Sequence, residues 1–323
     1  MNRNPEYSFN WEILKQLTGF KTYLQELGNG GSTIVQKMNY AGYFLKWLEN
    51  EHLLAEDARY NDLLNFIDYC NLEGNSKKHI NSKLRSIRNF YQYLKKNNPD
   101  IINPALTLHL QGIRHKLPSG IIGYPALESL YRDYPTKTLR DQRNKMILGL
   151  LVYQGITTSE LHRLEPGHLK LKQGRIHVPG TRKSGSRTLE LKPLQILELH
   201  EYLTRIRPQI LKEISLSKPA RKPDKINEKR LNDQLFISIN GSENIKNSLL
   251  HMFKGVQKTN PGIQSPKQIR SSVITWWLKN HNLRQVQYMA GHKYVSSTER
   301  YQLNNLDNLQ GKLEKLHPLN NEF

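Results

Sequence analysis

The sequence predicts a mainly α fold with a small antiparallel β-sheet, arranged as two domains. Three observations predict it. Apolar residues recur at helical spacing through the first third of the chain and again after Pro266. Alternating apolar residues flank a basic, Gly-containing turn between residues 175 and 191. A stretch punctuated by Pro and Gly, residues 97–120, interrupts the helical pattern between them. At 323 residues the chain is long enough for two domains of ordinary size, each with its own core.

In the first domain, taken as residues 1–110, the segment "GSTIVQKMNYAGYFLKWLEN" places Ile34, Met38, Ala41, Leu45 and Leu48 on one stripe, with Ser32 or Thr33 as the expected cap. A second stripe runs through Ile80, Leu84, Ile87, Tyr91 and Leu94. At about 100° per residue, Lys78, Arg85 and Lys96 fall on its opposite face, with Lys77, Arg88 and Lys95 beside the stripe. Such a face suits a row of phosphates, although a solvated helix surface is the commoner reason for charge there. Pro99, Pro104, Pro118 and Gly120 mark residues 97–120 as a linker.

The second domain, residues 111–323, opens with a helix around Pro125 to Arg132 and another from about Leu139 to Tyr153. Next, Ile176 and Val178, then Leu189 and Leu191, alternate around Gly-containing turns, which predicts a small antiparallel sheet with a basic hairpin tip. Residues 216–234 are polar and basic and read as a mobile loop, followed by "LFISING" as a short strand. From Pro266 the chain returns to helices: "QIRSSVITWWLKN", "LRQVQYMAG", a segment beginning at Ser296, and a last stripe at Leu306, Leu309, Leu313 and Leu316. Trp276 and Trp277 read as core residues, since Ile269 and Val273 share their helix.

Charge narrows the class of partner. Lys and Arg number 48 against 28 Asp and Glu, an excess of 20 positive charges, which points to a polyanion. Nucleic acid is favoured over an acidic membrane surface, because the basic residues are not gathered on one amphipathic segment and the apolar run from Met146 to Tyr153 is too short to span a bilayer. No apolar stretch follows the positive charge of "MNRNPEYSFNWEIL", so no secretory signal is expected and the expected location is cytoplasmic. Cys70 is the only cysteine, which excludes an internal disulfide and a multi-cysteine zinc site. No carboxylate or cysteine cluster joins His281 and His292, so no metal site is expected.

The stretch "AGHKYVSSTERY", residues 290–301, carries the chemistry. Gly291 ends one helix, and Ser296 with Glu299 has the spacing of a capping box that starts another. His292 then lies in the connection and Tyr301 within the second turn of the following helix, near enough in the chain to line one cavity.

Taken in order, "YQGITTSELHRL", "RKSGSRTLEL", "KQIRSSVITWWL" and "MAGHKYVSSTERY" resemble the tyrosine recombinase (phage integrase) family in motif order, spacing and context. The resemblance covers nearly the whole chain. It implies a helical N-terminal domain like the family's core-binding domain and a tyrosine-recombinase catalytic domain after it. It makes Tyr301 the nucleophile, His292 a hydrogen-bond donor to phosphate, Arg270 the second arginine of the site and Lys183 the general acid for the leaving 5′-hydroxyl. Glu160 matches the family's acidic residue in a supporting role. On the hairpin, Arg182, Lys183 and Arg187 are each candidates for plain phosphate contacts. In the family the tyrosine attacks the scissile phosphate and leaves a 3′-phosphotyrosyl link, so no cofactor is implied. Cationic donors around a weak phenolic nucleophile make physical sense, because negative charge concentrates on phosphate oxygens in the transition state.

The implied partners are double-stranded DNA and further copies of the chain, a homo-oligomer forming a tetramer on DNA, with an accessory DNA-bending protein as a further candidate. The terminal leucine stripe would dock on a neighbouring protomer or pack on its own domain. Three positions depart from the family pattern. Thr157 stands where the first arginine belongs, Lys267 replaces the histidine of His-x-x-Arg, and Ser271 follows Arg270 where histidine is frequent. Losing one preorganised donor costs about 10²–10³ in rate, so a slowed enzyme fits the sequence as well as a dead one. Lys267 is expected to replace part of the lost charge, with Arg182 the second candidate; Arg163 lies about 240° around a helix from Thr157 and is a poor one. A protonated lysine cannot accept the tyrosine proton, which leaves the general base open. Two functions remain: a site-specific DNA recombinase or integrase, and a catalytically degenerate relative that binds specific DNA as an accessory or regulatory protein. A type IB topoisomerase is a third, weaker reading.

Overall fold

Helices α1 (Trp11–Glu26), α2 (Gly31–Asn50), α3 (Tyr60–Leu72) and α4 (Lys77–Asn97) build the first unit, residues 1–115. The computed structural model describes residues 11–112, 120–182, 184–216, 228–242 and 244–302. Both predicted apolar stripes face one core, in which Phe44, Phe66, Phe90 and Tyr91 are fully enclosed. Helix α4 starts where Ser76 accepts the His79 N–H at 3.4 Å. Helix α2 starts on Gly30, whose carbonyl takes the Thr33 and Ile34 amides; the expected caps Ser32 and Thr33 therefore lie inside the helix. Lys83 is a buried cation on α4. Its Nζ lies 3.6 Å from the centre of the Tyr43 ring and 3.5 Å from Cys70 Sγ, and burial pulls its pKa down.

The first half of the expected linker is packed structure. Ile101, Ala105 and Leu108 are buried in this core. Arg88 donates to the carbonyls of Ala105 at 3.1 Å and Leu108 at 3.0 Å, and Asn81 exchanges hydrogen bonds with the Leu110 backbone at 2.8 and 2.9 Å. Proline forbids a helix here, but α4 side chains satisfy the backbone instead, so the apolar residues still bury.

The second unit, residues 116–323, begins with α5 (Tyr124–Arg132), α6 (Leu139–Gln154) and the short α7 (Thr158–Leu161). Strands β1 (Leu169–Lys170), β2 (Arg175–Val178) and β3 (Arg187–Glu190) form an antiparallel sheet in that order, with Ile176 opposite Leu189 and Val178 opposite Arg187. Helices α8 (Pro193–Glu201), α9 (Arg207–Leu216), α10 (Glu228–Asp233), α11 (Lys246–Thr259), α12 (Pro266–Asn280) and α13 (Leu283–Ala290) follow, with a π-helical turn at Tyr202–Ile206 and helix again over 296–302. Their core includes Leu150, Leu151, Ile176, Tyr202, Val273 and Ile274. Trp277 is part of it, and Trp276 stacks on Tyr124 with ring centres 3.8 Å apart.

Two expectations are corrected in this unit. Residues 216–234 are not loop throughout, since α10 forms and Leu231 is buried; residues 217–227 lie outside the described part. "LFISING" is no strand. Leu235, Phe236 and Ile237 are buried, but Tyr202 Oη donates to the Leu235 carbonyl at 2.9 Å and Arg143 Nη1 to that of Ile237 at 2.8 Å, so helix side chains take the place of a ladder. The terminal leucine stripe, Leu306 to Leu316, lies outside the described residues. Among the described residues no helix is long and apolar enough to cross a membrane.

Candidate active site

Arg270 projects from α12 to where two helices end. Its Nη1 donates to the carbonyl of Gly155, the residue that closes α6, and its Nη2 to that of Ala290, the last residue of α13. A cation is favoured at both places, because helix C-termini present unpaired carbonyls and the negative end of the helix dipole. Both helices close with a glycine in the left-handed region, Gly155 at φ 55° and Gly291 at φ 67°. The Gly291 turn delivers His292 next to Arg270, with Arg270 Nη2 3.3 Å from His292 Nε2.

Arginine can only donate, so His292 Nε2 is the acceptor of that contact and Nδ1 carries the ring proton, which it gives to Thr298 Oγ1 at 2.9 Å. Burial, then the charges of Arg270 and Arg187, hold the His292 pKa down at about 4, with Glu160 opposing and Arg300 assisting. In the free protein His292 is therefore neutral and accepts at Nε2, where the sequence reading expected a donor. Donation to a phosphate from that nitrogen requires a proton or the other tautomer. Tyr301 packs against the same ring, the two centres 6.1 Å apart and the planes 14° from parallel. The helix holding Tyr301 takes its first turn from the Val295 carbonyl, which accepts from Glu299 N at 3.0 Å, so Ser296 lies inside the helix and is not its cap.

Glu160 and Arg187 form a buried fork, Nη1 to Oε1 at 2.7 Å and Nη2 to Oε2 at 3.1 Å. Arg187 is 2% exposed and its guanidinium is turned inward onto Glu160, so burial takes it away from the phosphate contact expected of it on the hairpin. Burial alone would raise the Glu160 carboxyl; the Arg187 hydrogen bonds and charge outweigh it, with Thr157 and Arg270 assisting, and hold it at about 2. Thr157 caps α7, its N–H and Oγ1 both 2.9 Å from Glu160 Oε2. Its side chain is thereby turned to helix capping.

The hairpin tip is tied to the same turn. Ser184 and His292 form an isolated β-bridge, and Gly185 N donates to the Gly291 carbonyl at 3.0 Å. Lys183, one residue before that bridge, lies outside the described residues, and Arg182 before it is exposed. Lys267 is exposed in the first turn of α12, three residues before Arg270. The site thus brings together Tyr301, His292, Arg270, Glu160 and Arg187. Sequence reading missed Thr298 as the partner of His292 and the inward face of Arg187. The second was legible, because 187 is in phase with the buried Leu189 and Leu191.

In the first unit, Lys78 and Arg85 line a groove of about 530 Å³ together with Asn81, Ser82 and His109. Lys96, on the same helix, is instead paired with Glu26 at 2.9 Å.

Residues 127–307 match the phage integrase family. The tyrosine recombinase XerD of Listeria innocua is 25% identical over 299 residues, which cover 91% of this chain and 95% of that protein. Among solved structures, the XerH site-specific recombinase bound to a palindromic difH substrate has a TM-score of 0.68 at 18% identity, covering 94% of this chain and 87% of that one. The Tn1549 transposon integrase in complex with circular intermediate DNA has a TM-score of 0.61 at 15% identity, covering 88% of this chain and 94% of that one. Both structural likenesses concern the fold.

Proposed function

The chain belongs to the phage integrase family, and on that premise we propose that it cuts and rejoins double-stranded DNA at a specific site through a 3′-phosphotyrosyl intermediate on Tyr301. The observation that carries this reading is the packing of Tyr301 on His292, with Arg270 Nη2 3.3 Å from the imidazole: a nucleophile and a half-buried cation meet at one neutral ring. Arg270 stabilises the charge that develops on the phosphate as the tyrosine attacks. A phosphate beside His292 favours the imidazolium, so DNA arrival turns the ring into the donor that the free protein lacks. Lys183 is the general acid for the 5′-hydroxyl, and Lys267 supplies part of the cation absent at Thr157. Glu160 supports the site from α7. Lys78, Arg85, Lys96 and Arg182 are assigned to phosphates along the duplex.

By the same reading the protein acts in the cytoplasm as a homo-oligomer, a tetramer on DNA, with an accessory DNA-bending protein as a further partner. The domain roles are core binding for residues 1–110 and catalysis for 111–323. The test is incubation with a nicked suicide DNA carrying the cognate site. A covalent protein–DNA band that is lost in Tyr301→Phe, with DNA binding retained, is expected; an adduct that survives Tyr301→Phe, or no adduct from the parent protein, overturns the reading.

One observation favours a second reading, the catalytically degenerate DNA-binding relative. Thr157 is bound to Glu160 through both its backbone and its hydroxyl, so position 157 is built as a helix cap and offers no cation to a phosphate.

A further inference from the structure

A buried arginine–carboxylate pair and a half-buried arginine surround a neutral histidine. Arg187 forks onto Glu160, while Arg270 lies between two helix ends and against His292. Those groups leave one positive charge uncompensated, the charge of one phosphodiester with opposite sign. Remove Arg187 and the remaining Arg270 and Glu160 balance, so an incoming phosphate meets a neutral site. An ion pair this buried is a poor device for stability alone, because desolvation offsets most of the Coulomb gain.

Arg187 also touches the element that carries His292. A Cβ built on Gly291 would stand 2.5 Å from Arg187 Nη1 and 3.1 Å from Cζ, so the guanidinium is packed flush against that turn. Its own strand leads back to the hairpin tip, where Ser184 bridges His292 and Gly185 bonds Gly291. Its Nε has no partner among the described residues.

We infer that Arg187 is a positioning residue that sets the charge of the active site: it cancels Glu160, leaving Arg270 unopposed for phosphate, and it braces the Gly291 turn that presents His292. The inference rests on the recombinase reading of this site. Arg187 acts through Glu160 and the turn, and makes no contact with DNA.

The test compares the parent protein, Arg187→Met, Glu160→Gln and the double variant, following the His292 imidazole by NMR across pH and its response to inorganic phosphate. The charges around that ring are Arg270, Arg187, Glu160 and Arg300. Arg187→Met is expected to move the His292 titration up towards the ordinary imidazole range and to weaken phosphate binding by about tenfold or more. Glu160→Gln is expected to move both readouts the opposite way, and the double variant to return to the parent. Should Arg187→Met fail to fold, the comparison of Glu160→Gln with the double variant decides: tighter phosphate binding in the single variant supports the assignment. Changes of the same sign in Arg187→Met and Glu160→Gln, equal binding by Glu160→Gln and the double variant, or an unmoved His292 titration would reduce Arg187 to a fold-stabilising partner and overturn it. Neither readout involves strand cleavage, so the two failures are told apart: absent shifts overturn the role of Arg187, and an absent adduct overturns the recombinase reading on which that role rests.

Discussion

Gly291 and Arg187 are in contact so close that no side chain fits between them: a Cβ at 291 would lie 2.5 Å from the arginine Nη1. The backbone at 291 is also left-handed, φ 67°. Gly291→Ala therefore carries two burdens, the left-handed strain of about 1–2 kcal/mol and displacement of a buried guanidinium. The expected outcome is a loss of more than about 2 kcal/mol in denaturant unfolding, with a shift of the His292 resonances. A loss no larger than that of an exposed Gly→Ala change elsewhere would mean that the guanidinium gives way freely.

Acid should unfold the second unit in two overlapping stages. The His292 pKa is lowered from 6.5 to about 4, so the unfolded chain binds the extra proton first and stability falls as pH drops from 6.5 towards 4. The Glu160 pKa is lowered from 4.5 to about 2, so its contribution is present above 4.5 and is lost as pH falls through 4.5 towards 2. Unfolding followed by circular dichroism should show both slopes. His292→Gln should remove the upper one and keep the lower; an unchanged upper slope would assign it to another histidine.

Lys78 and Arg85 share a groove, whereas Lys96 is held by Glu26. An exposed pair such as Lys96–Glu26 is weak, yet it offsets part of the charge that Lys96 offers a phosphate. Neutralising Lys78 and Arg85 together is expected to lower DNA affinity and to reduce the slope of log affinity against log salt by nearly 2, with Lys96→Gln changing it less. Equal effects from all three would extend the DNA contact along the whole helix.

Thr157→Arg has opposite effects on stability and chemistry. Losing the cap of α7 costs about 1 kcal/mol, while an arginine there offers phosphate a second bidentate grip. Cleavage of the suicide substrate should rise, and Lys267→Ala, which should slow the parent protein about 10²-fold, should matter less in the Thr157→Arg background. Strictly additive effects would show that the two positions do not share a phosphate.

Helices such as α2 and α4 were legible from periodicity because one face of each is buried, whereas α8, α9 and α11 were not read from the sequence and α10 was taken for loop. Caps were less so. Whether Gly30 or Ser32 starts α2 depends on the path by which the chain arrives, which no local pattern records. "LFISING" failed for a different reason: its apolar run is buried, but its partners are side chains from distant helices, so burial and strand pairing came apart. At the site, Tyr301, His292 and Arg270 come together as their motifs suggested. The inward face of Arg187 was legible from its phase with Leu189 and Leu191, but its partner Glu160 lies 27 positions away and only the fold reveals the pair.

The packing of Ile101, Ala105 and Leu108 against α4 decides how the first unit has to be excised for study alone. A fragment ending at residue 97 would strip those residues from the core, leaving Arg88 and Asn81 with donors aimed at carbonyls that no longer exist. Such a fragment would expose fresh apolar surface and invite self-association in the test tube. One ending at residue 112 keeps every one of those bonds, and is the shorter piece worth making for DNA titrations.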